Sequence, residues 1–91
     1  MKRIIVACGS GVVTSKVVAD KVSHLLRENG IEAQVLPIDI ADVESYIEGS
    51  VAYVAITKVR KEYPLLVVNG ITFLTGVGQD AELRKLIEVC R

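Results

Sequence analysis

The chain of 91 residues is poor in several residue types that particular protein classes require. It has no tryptophan, one histidine and two cysteines, Cys8 and Cys90, which lie at opposite ends of the sequence. Two distant cysteines without a CxxC pair support neither a disulfide framework nor a zinc site. We therefore expect at least one reduced thiol and a protein that requires no metal or other cofactor.

Net charge and long apolar runs are also lacking. Eleven Lys and Arg residues balance eleven Asp and Glu residues, which removes the electrostatic basis for general binding to nucleic acids or to anionic membranes. The apolar run after Arg3 is far shorter than the ~20 residues of a membrane span or the core of a signal peptide. We expect a single cytoplasmic domain over residues 1–91, monomeric and meeting its partners in transient complexes.

Hydrophobic residues make up 51% of the chain, and their spacing alternates between strand and helix patterns. Apolar or branched segments predict four strands, over Arg3 to Ala7, Ile31 to Ile38, Val51 to Ile56 and Pro64 to Val68. Helical spacing predicts helices over Thr14 to Asn29, over a short segment from Asp39 or Asp42 to Tyr46, and over Gln79 to Cys90. This order predicts an α/β three-layer sandwich, in which helices cover a four-stranded parallel sheet of order 2-1-3-4.

The loop after the first strand contains the residues that are candidates for a reactive or binding site. In such sheets, ligands bind at the carboxyl ends of the strands where the winding direction reverses, and Cys8 lies at that position. Gly9 and Gly11 allow the backbone to curl, so that several N–H groups at the start of the helix can converge on one anion. Thr14 and Ser15 add hydroxyl donors. The segment therefore predicts a site for a phosphate-sized anion.

The same N–H groups would stabilise a thiolate at Cys8. We expect its thiol to lose a proton more readily than the reference pKa of about 8.5 implies, and Cys8 to act as a nucleophile. Phosphoryl transfer needs positioning and charge stabilisation more than further covalent chemistry, so the loop could also hold a phosphorylated Cys8. This arrangement requires no metal.

Other phosphate-binding patterns do not fit the loop. The GxxxxGK[ST] pattern is missing, and GxGxxG would need a third glycine where Thr14 stands. A Cys-x5-Arg phosphatase would need arginine at that same position, because a guanidinium stabilises the transition-state charge. A low-molecular-weight phosphatase-like or arsenate reductase-like enzyme is therefore an alternative with less support. A non-catalytic binding module with a structural Cys8 is another.

The segments KRIIVACGSGVVTSK and ITFLTGVG resemble the IIB proteins of the bacterial phosphoenolpyruvate-dependent sugar phosphotransferase system, especially the galactitol-type group. The resemblance extends over nearly the whole chain. It implies that Cys8 is the phosphorylated cysteine and that the phosphate-binding loop consists of Gly9, Ser10, Gly11, Val12, Val13, Thr14 and Ser15.

The resemblance also implies two protein partners. A phosphorylated IIA protein supplies the phosphoryl group from a phosphohistidine, and a membrane-embedded IIC permease holds the sugar or polyol that receives it. Because sugar choice resides largely in IIC, galactitol follows from the resemblance and not from the residues.

Three other residues have simpler interpretations. Cys90 lies on the apolar stripe of the last helix, which favours packing over redox chemistry. His24 stands alone in the first helix and is predicted at its surface. Lys16 either faces solvent or contacts the phosphate.

Two loop segments each allow two interpretations of their role. The basic residues after the third strand either attract a phosphorylated partner or are simply solvated; they are Lys58, Arg60 and Lys61. Gly76 and Gly78 are either turn residues or allow the TGVG loop to approach Cys8.

Overall fold

A computed structural model of the chain describes residues 2–9, 13–56 and 63–90, in which strands and helices alternate. The strands are β1 (Arg3–Cys8), β2 (Gln34–Asp39), β3 (Ser50–Ala55) and β4 (Leu66–Asn69). The helices are α1 (Val13–Glu28), α2 (Val43–Ile47), α3 (Thr72–Thr75) and α4 (Gln79–Cys90), and a 3-10 turn over Ile40–Asp42 precedes α2. None of the helices in these ranges combines the length and the apolar character that a bilayer span requires.

The four strands form one parallel sheet in the order β2-β1-β3-β4. Successive side chains of β1 point to opposite faces. Ile4 and Val6 pack in the apolar cluster that includes α1 and α4, whereas Ile5 and Ala7 pack in the cluster that includes α2. All four are fully buried, as expected for a central parallel strand covered on both faces. The predicted fold class and strand order are confirmed.

The second strand begins later than predicted, at Gln34 instead of Ile31. Gly30 adopts a left-handed φ of 74° at the end of α1. Its N–H donates to the Arg27 carbonyl at 3.0 Å, and the Ile31 N–H donates to the Leu26 carbonyl at 2.9 Å. These bonds form a Schellman motif, in which the residue after the glycine packs against the end of the helix. The backbone N–H of Ile31 therefore serves the helix end and not a strand ladder.

The segment before the last helix, for which no helix was predicted, contains the short helix α3. This helix ends at Gly76, which has a left-handed φ of 82° and donates its N–H to the Thr72 carbonyl at 2.8 Å. Four residues make little more than one turn, which is too short to produce a helical periodicity in the sequence. The predicted last helix, Gln79 to Cys90, is confirmed.

Arg3 joins the amino end of β1 to the turn between α2 and β3. Its Nε donates to the Ser50 hydroxyl at 2.9 Å, and its terminal nitrogen donates to the carbonyls of Tyr46 at 2.8 Å and Glu48 at 2.7 Å. The guanidinium also lies 5.4 Å from the centre of the Tyr46 ring. This half-buried side chain therefore holds a turn at the end of the sheet opposite to Cys8.

Replacement of Arg3 by lysine is expected to lower the free energy of unfolding by about 1.5–3 kcal/mol, the typical contribution of a hydrogen bond to a charged group. An ammonium group cannot reproduce the planar fork that reaches a hydroxyl and two carbonyls together. Chemical denaturation measures the change. The matched control is Arg27→Lys, because Arg27 is exposed and makes only a 3.4 Å bond to the Ser23 hydroxyl. Equal stabilities of the two variants would contradict this role for Arg3.

Candidate functional site

Cys8 is the last residue of β1, at the carboxyl edge of the sheet. The strands β2 and β3 run parallel to β1 on either side of it. The side chain of Cys8 lies in the apolar cluster that α1 covers. Cys8 is 4% exposed. Because the chain winds from β1 to β2 in one direction and on to β3 in the other, Cys8 lies at the point of reversal where ligands bind in such folds. The location predicted from the sequence is confirmed.

The amino terminus of α1 follows Cys8 closely in the chain. This helix of 16 residues has no acidic side chain in its first turn. By contrast, the first turn of α4 contains Asp80 and Glu82, whose carboxylates lie at the positive end of that helix. The partial positive charge at the start of α1 is not neutralised by a carboxylate of its own first turn. It is therefore available to a thiolate or a phosphate.

The predicted loop residues are described only in part. Gly9 lies in an exposed turn, and Ser10, Gly11 and Val12 lie outside the described residues. Val13 begins α1 and is 78% exposed, whereas Ser15 is completely buried and Thr14 is half-buried. Among the described residues, Ser15 is the only polar side chain in the buried set. The first turn of α1 thus presents an apolar side chain outward and directs a hydroxyl inward.

Asp39 lies beside Cys8, which sequence reasoning did not anticipate. The two residues are register partners in the parallel pairing of β1 with β2. Since their preceding partners Ala7 and Ile38 share the opposite apolar cluster, Asp39 and Cys8 leave the sheet on the same face. A carboxylate at this position opposes additional negative charge on the cysteine, whereas the start of α1 favours it. The predicted strand order places the ends of the first two strands side by side, but the register that pairs these two residues comes only from the structure.

Asp39 also shapes the edge of the sheet. Its Oδ1 accepts a hydrogen bond from the Ala41 N–H at 2.9 Å and caps the 3-10 turn. Asp42 makes no side-chain cap bond to α2. Of the two predicted caps, Asp39 is therefore the one that operates. Asn69 makes the corresponding bond at the end of β4, where its Oδ1 accepts from the Ile71 N–H at 3.0 Å.

Gly70 brings the end of β4 close to the end of β3. Its N–H donates to the Ala55 carbonyl at 2.7 Å. A Cβ at this position would lie 2.8 Å from Cγ1 of Val54 and 3.1 Å from the Ala55 carbonyl oxygen. The Ile56 N–H donates in turn to the Ala7 carbonyl at 3.2 Å. The absence of a side chain at Gly70 therefore allows its N–H to bond to the end of β3.

The glycines of the TGVG segment are turn residues. Gly76 and Gly78 have φ angles of 82° and 76°, a conformation that favours glycine. Among the described residues, a Cβ on Gly76 would meet nothing within 4 Å, and one on Gly78 would meet Thr72 at an ordinary 3.8 Å. Backbone conformation, and not close approach of another group, accounts for both positions.

Cys90 lies far along α4 from the carboxyl edge and is half-buried against the apolar cluster of α1 and α4. Burial raises the pKa of its thiol, although nearby Lys2 acts in the opposite direction. A raised pKa disfavours the thiolate at neutral pH, so Cys90 is a poor nucleophile. The predicted packing role is confirmed.

His24 and the remaining predicted groups lie away from Cys8 or outside the described residues. His24 is exposed on α1 and its Nε2 lies 2.6 Å from Glu28 Oε1, which makes an ordinary surface pair. Lys16 is exposed in the first turn of α1. Lys58, Arg60 and Lys61 lie outside the described residues. In the described part of the chain, no cluster of three or more His, Cys, Asp or Glu side chains could hold a metal ion.

Comparison with known proteins assigns the family. The family model of the lactose/cellobiose-specific IIB subunit of the phosphotransferase system matches residues 3–84. The chain belongs to this family. Members are sugar phosphotransferase components that work with IIA and IIC partners in general. The alternative classes of phosphatase, arsenate reductase and non-catalytic module are not favoured.

Relatives of this IIB protein include two from Escherichia coli K12. The provisionally named phosphotransferase enzyme IIB component SgcB is 33% identical over 81 residues, which are 89% of this chain and 88% of that protein. The galactitol-specific EIIB component of the phosphotransferase system is 27% identical, covering 97% of this chain and 95% of that one.

A solution structure supports the fold of this IIB protein. The cellobiose-specific phosphotransferase IIB component of Borrelia burgdorferi superposes with a TM-score of 0.58, over 98% of this chain and 87% of that one, at 16% identity. At this identity the likeness concerns the fold alone. It agrees with the parallel sheet described above.

Replacement of Gly70 by alanine is expected to lower the free energy of unfolding by about 1–3 kcal/mol, the usual cost of overpacking a core. Because the nearest obstacle is Cγ1 of Val54, the additional substitution Val54→Ala should relieve part of the strain. Urea denaturation of both single variants and the double variant gives the coupling free energy. Strictly additive effects would contradict a direct clash between these two positions.

Proposed function

We propose that this IIB protein accepts a phosphoryl group on Cys8 from a phosphohistidine of a IIA protein and transfers it to a sugar or polyol bound by a membrane IIC protein. The observation that carries the proposal is the position of Cys8. It ends the central strand at the reversal point of the sheet, next to a long helix whose first turn has no acidic side chain. That environment favours anions of the size and charge of a phosphoryl group.

The first transfer is an in-line displacement at phosphorus. The Cys8 thiolate attacks the phosphohistidine, an S–P bond forms as the P–N bond breaks, and the donor imidazole leaves as a neutral ring after it takes up a proton. The proposed loop, residues 9–15, would hold the phosphoryl oxygens through backbone N–H groups and the hydroxyls of Ser10, Thr14 and Ser15. Catalysis then depends on position and electrostatics, as is general for phosphoryl transfer.

The second transfer reverses the roles. A sugar hydroxyl attacks the phosphocysteine, an O–P bond forms as the S–P bond breaks, and the thiolate returns while the hydroxyl proton is released. Asp39, beside Cys8 in the sheet, places a negative charge on the side of the thiol away from β3. Its repulsion of the phosphoryl group would help to keep the phosphocysteine transferable and not a stable end product.

The same proposal includes the final acceptor of the phosphoryl group and the place in the cell where the protein acts. Three of the relatives, from two Escherichia coli strains and Shigella flexneri, are named galactitol-specific, which supports a polyol such as galactitol as the final acceptor. A single domain over residues 1–91, acting as a monomer on the cytoplasmic side of the membrane, would contact IIA and IIC in turn. Brief contacts over small surfaces suit a carrier that must leave each partner after transfer.

The replacement Cys8→Ser is expected to abolish phosphorylation and to leave the fold intact. Serine is close in size to the buried cysteine, but its hydroxyl is a far weaker nucleophile near neutral pH. Intact mass is measured after incubation with phosphoenolpyruvate, the general phosphocarrier proteins and a galactitol-type IIA protein. Wild type should gain one phosphoryl group, and the variant should gain none.

The matched control is Cys90→Ser, which should be phosphorylated as fully as wild type because the Cys90 thiol has a packing role. Normal labelling of Cys8→Ser would defeat the assignment of Cys8. Rapid hydrolysis of an aryl phosphate by the isolated wild type, lost in Cys8→Ser, would instead revive the phosphatase alternative.

A further inference from the structure

The chain contains two asparagines, Asn29 and Asn69, and a glycine follows each of them. An asparagine before glycine is especially prone to spontaneous deamidation, because the following residue has no side chain to hinder attack by its backbone nitrogen. The reaction requires this nitrogen to leave any hydrogen bond that it makes and to swing toward the side-chain amide carbon. The structure places the two pairs in different settings, and these settings decide which pair can react.

Asn29 and Gly30 directly follow the last residue of α1, and both are exposed. The Gly30 N–H donates to the Arg27 carbonyl at 3.0 Å, and Nδ2 of Asn29 donates to the Leu25 carbonyl at 2.8 Å. Both acceptors belong to the last turn of the same helix. A Cβ on Gly30 would meet no described residue within 4 Å, so the peptide has room to rotate. Because helix ends fray at little cost, opening of this one turn releases the backbone nitrogen and the side-chain amide together.

The second pair is held between segments that are distant in the chain. Gly70 is buried, and its N–H donates to the Ala55 carbonyl of β3 at 2.7 Å, while its own carbonyl accepts from the Phe73 N–H at 3.1 Å. The Asn69 side chain is also held, since its Oδ1 accepts from the Ile71 N–H at 3.0 Å. Release of the Gly70 nitrogen therefore requires β4 to separate from β3, which is an opening close to global unfolding.

We propose that Asn29 is a site of spontaneous deamidation in the folded protein, and that the pairing of β4 with β3 protects Asn69 from the same reaction. The Gly30 nitrogen gives its proton to solvent hydroxide and attacks Cγ of Asn29. A C–N bond forms and closes a succinimide ring as the Cγ–Nδ2 bond breaks, and ammonia leaves after Nδ2 takes up a proton from water. One water molecule then opens the ring on either side and gives aspartate or isoaspartate. The reaction is independent of phosphoryl transfer.

The product changes the end of α1. A new carboxylate lies next to Glu28 at the negative end of the helix dipole, where anions are disfavoured, and the Nδ2 bond to the Leu25 carbonyl is lost. Isoaspartate also adds a methylene to the main chain inside the Schellman motif that Gly30 and Ile31 form. The modified protein is therefore more acidic and less stable than the unmodified chain.

The test is peptide mapping of wild type after incubation in mildly alkaline buffer, either folded or in guanidinium chloride. Trypsin separates the two asparagines, because Asn29 lies on the peptide of residues 28–58 and Asn69 on that of residues 62–84. Chromatography with mass spectrometry measures asparagine, aspartate and isoaspartate in each peptide, and a digest at time zero corrects for reaction during preparation. The matched variant is Asn29→Gln, whose longer side chain keeps the amide but closes the corresponding larger ring only slowly.

In the folded protein we expect Asn29 to be converted at least about tenfold faster than Asn69, since tenfold corresponds to a difference of only about 1.4 kcal/mol in the free energy of opening. In guanidinium chloride the two rates should agree within about threefold, because both residues precede glycine in an open chain. Folded wild type should accumulate an acidic species in ion-exchange chromatography that Asn29→Gln does not accumulate.

Three outcomes overturn the inference. Equal rates at the two positions in the folded protein would show that the β3–β4 pairing does not protect Asn69. Conversion of Asn29 in guanidinium chloride but not in the folded protein would show that the end of α1 does not open for the reaction. An acidic species that forms as fast in Asn29→Gln as in wild type would assign the modification to another residue.

Discussion

Burial of β1 on both faces and pairing on both edges is the constraint on which the rest of the structure depends. Ile4, Ile5, Val6 and Ala7 are all fully buried, and parallel neighbours flank the strand on either side. A strand held in this way cannot shift by one residue without exchanging two apolar faces. The position of Cys8, the next residue, at the carboxyl edge is therefore fixed, and so is the face of the sheet from which its side chain projects.

Parallel topology then determines what surrounds the cysteine. Because every strand points the same way, Asp39, Asn69 and the start of α1 all reach the edge where Cys8 lies. Opposing electrostatic effects meet there, since the helix start favours an anion and the neighbouring carboxylate disfavours one. Under the proposed function, this balance would keep a phosphocysteine from becoming too stable to pass its phosphoryl group onward.

The stabilising contacts of Arg3 and the candidate site lie at different edges of the sheet. Arg3 secures the amino edge through a hydroxyl, two carbonyls and an aromatic ring, whereas the exposed large apolar residues of the described chain gather at the carboxyl edge. Gly70 contributes at the carboxyl edge, because its close approach to β3 allows its N–H to bond to the Ala55 carbonyl. The site edge can thus be shaped for partners while the opposite edge maintains the fold.

Sequence patterns predicted the secondary structure correctly where they extended over several helical turns or a whole strand. The periodicity of the last helix predicted its bounds, and the apolar runs predicted all four strands and their order. The patterns failed where a few residues decide the structure. Ile31 has the side chain of a strand residue, but its N–H closes the end of α1, and α3 is too short to leave a period.

Several properties of this protein were determined by the sequence alone. Local residue chemistry was enough to place Cys8 at the end of the first strand, next to the start of the first helix, and long apolar periods were enough for the fold class. Only the tertiary structure decided that Asp39 is the register partner of Cys8, that Gly70 must lack a side chain, and that the exposed apolar residues share one edge. These are relations between segments distant in the chain, and they exist only once parallel pairing brings the strand ends together.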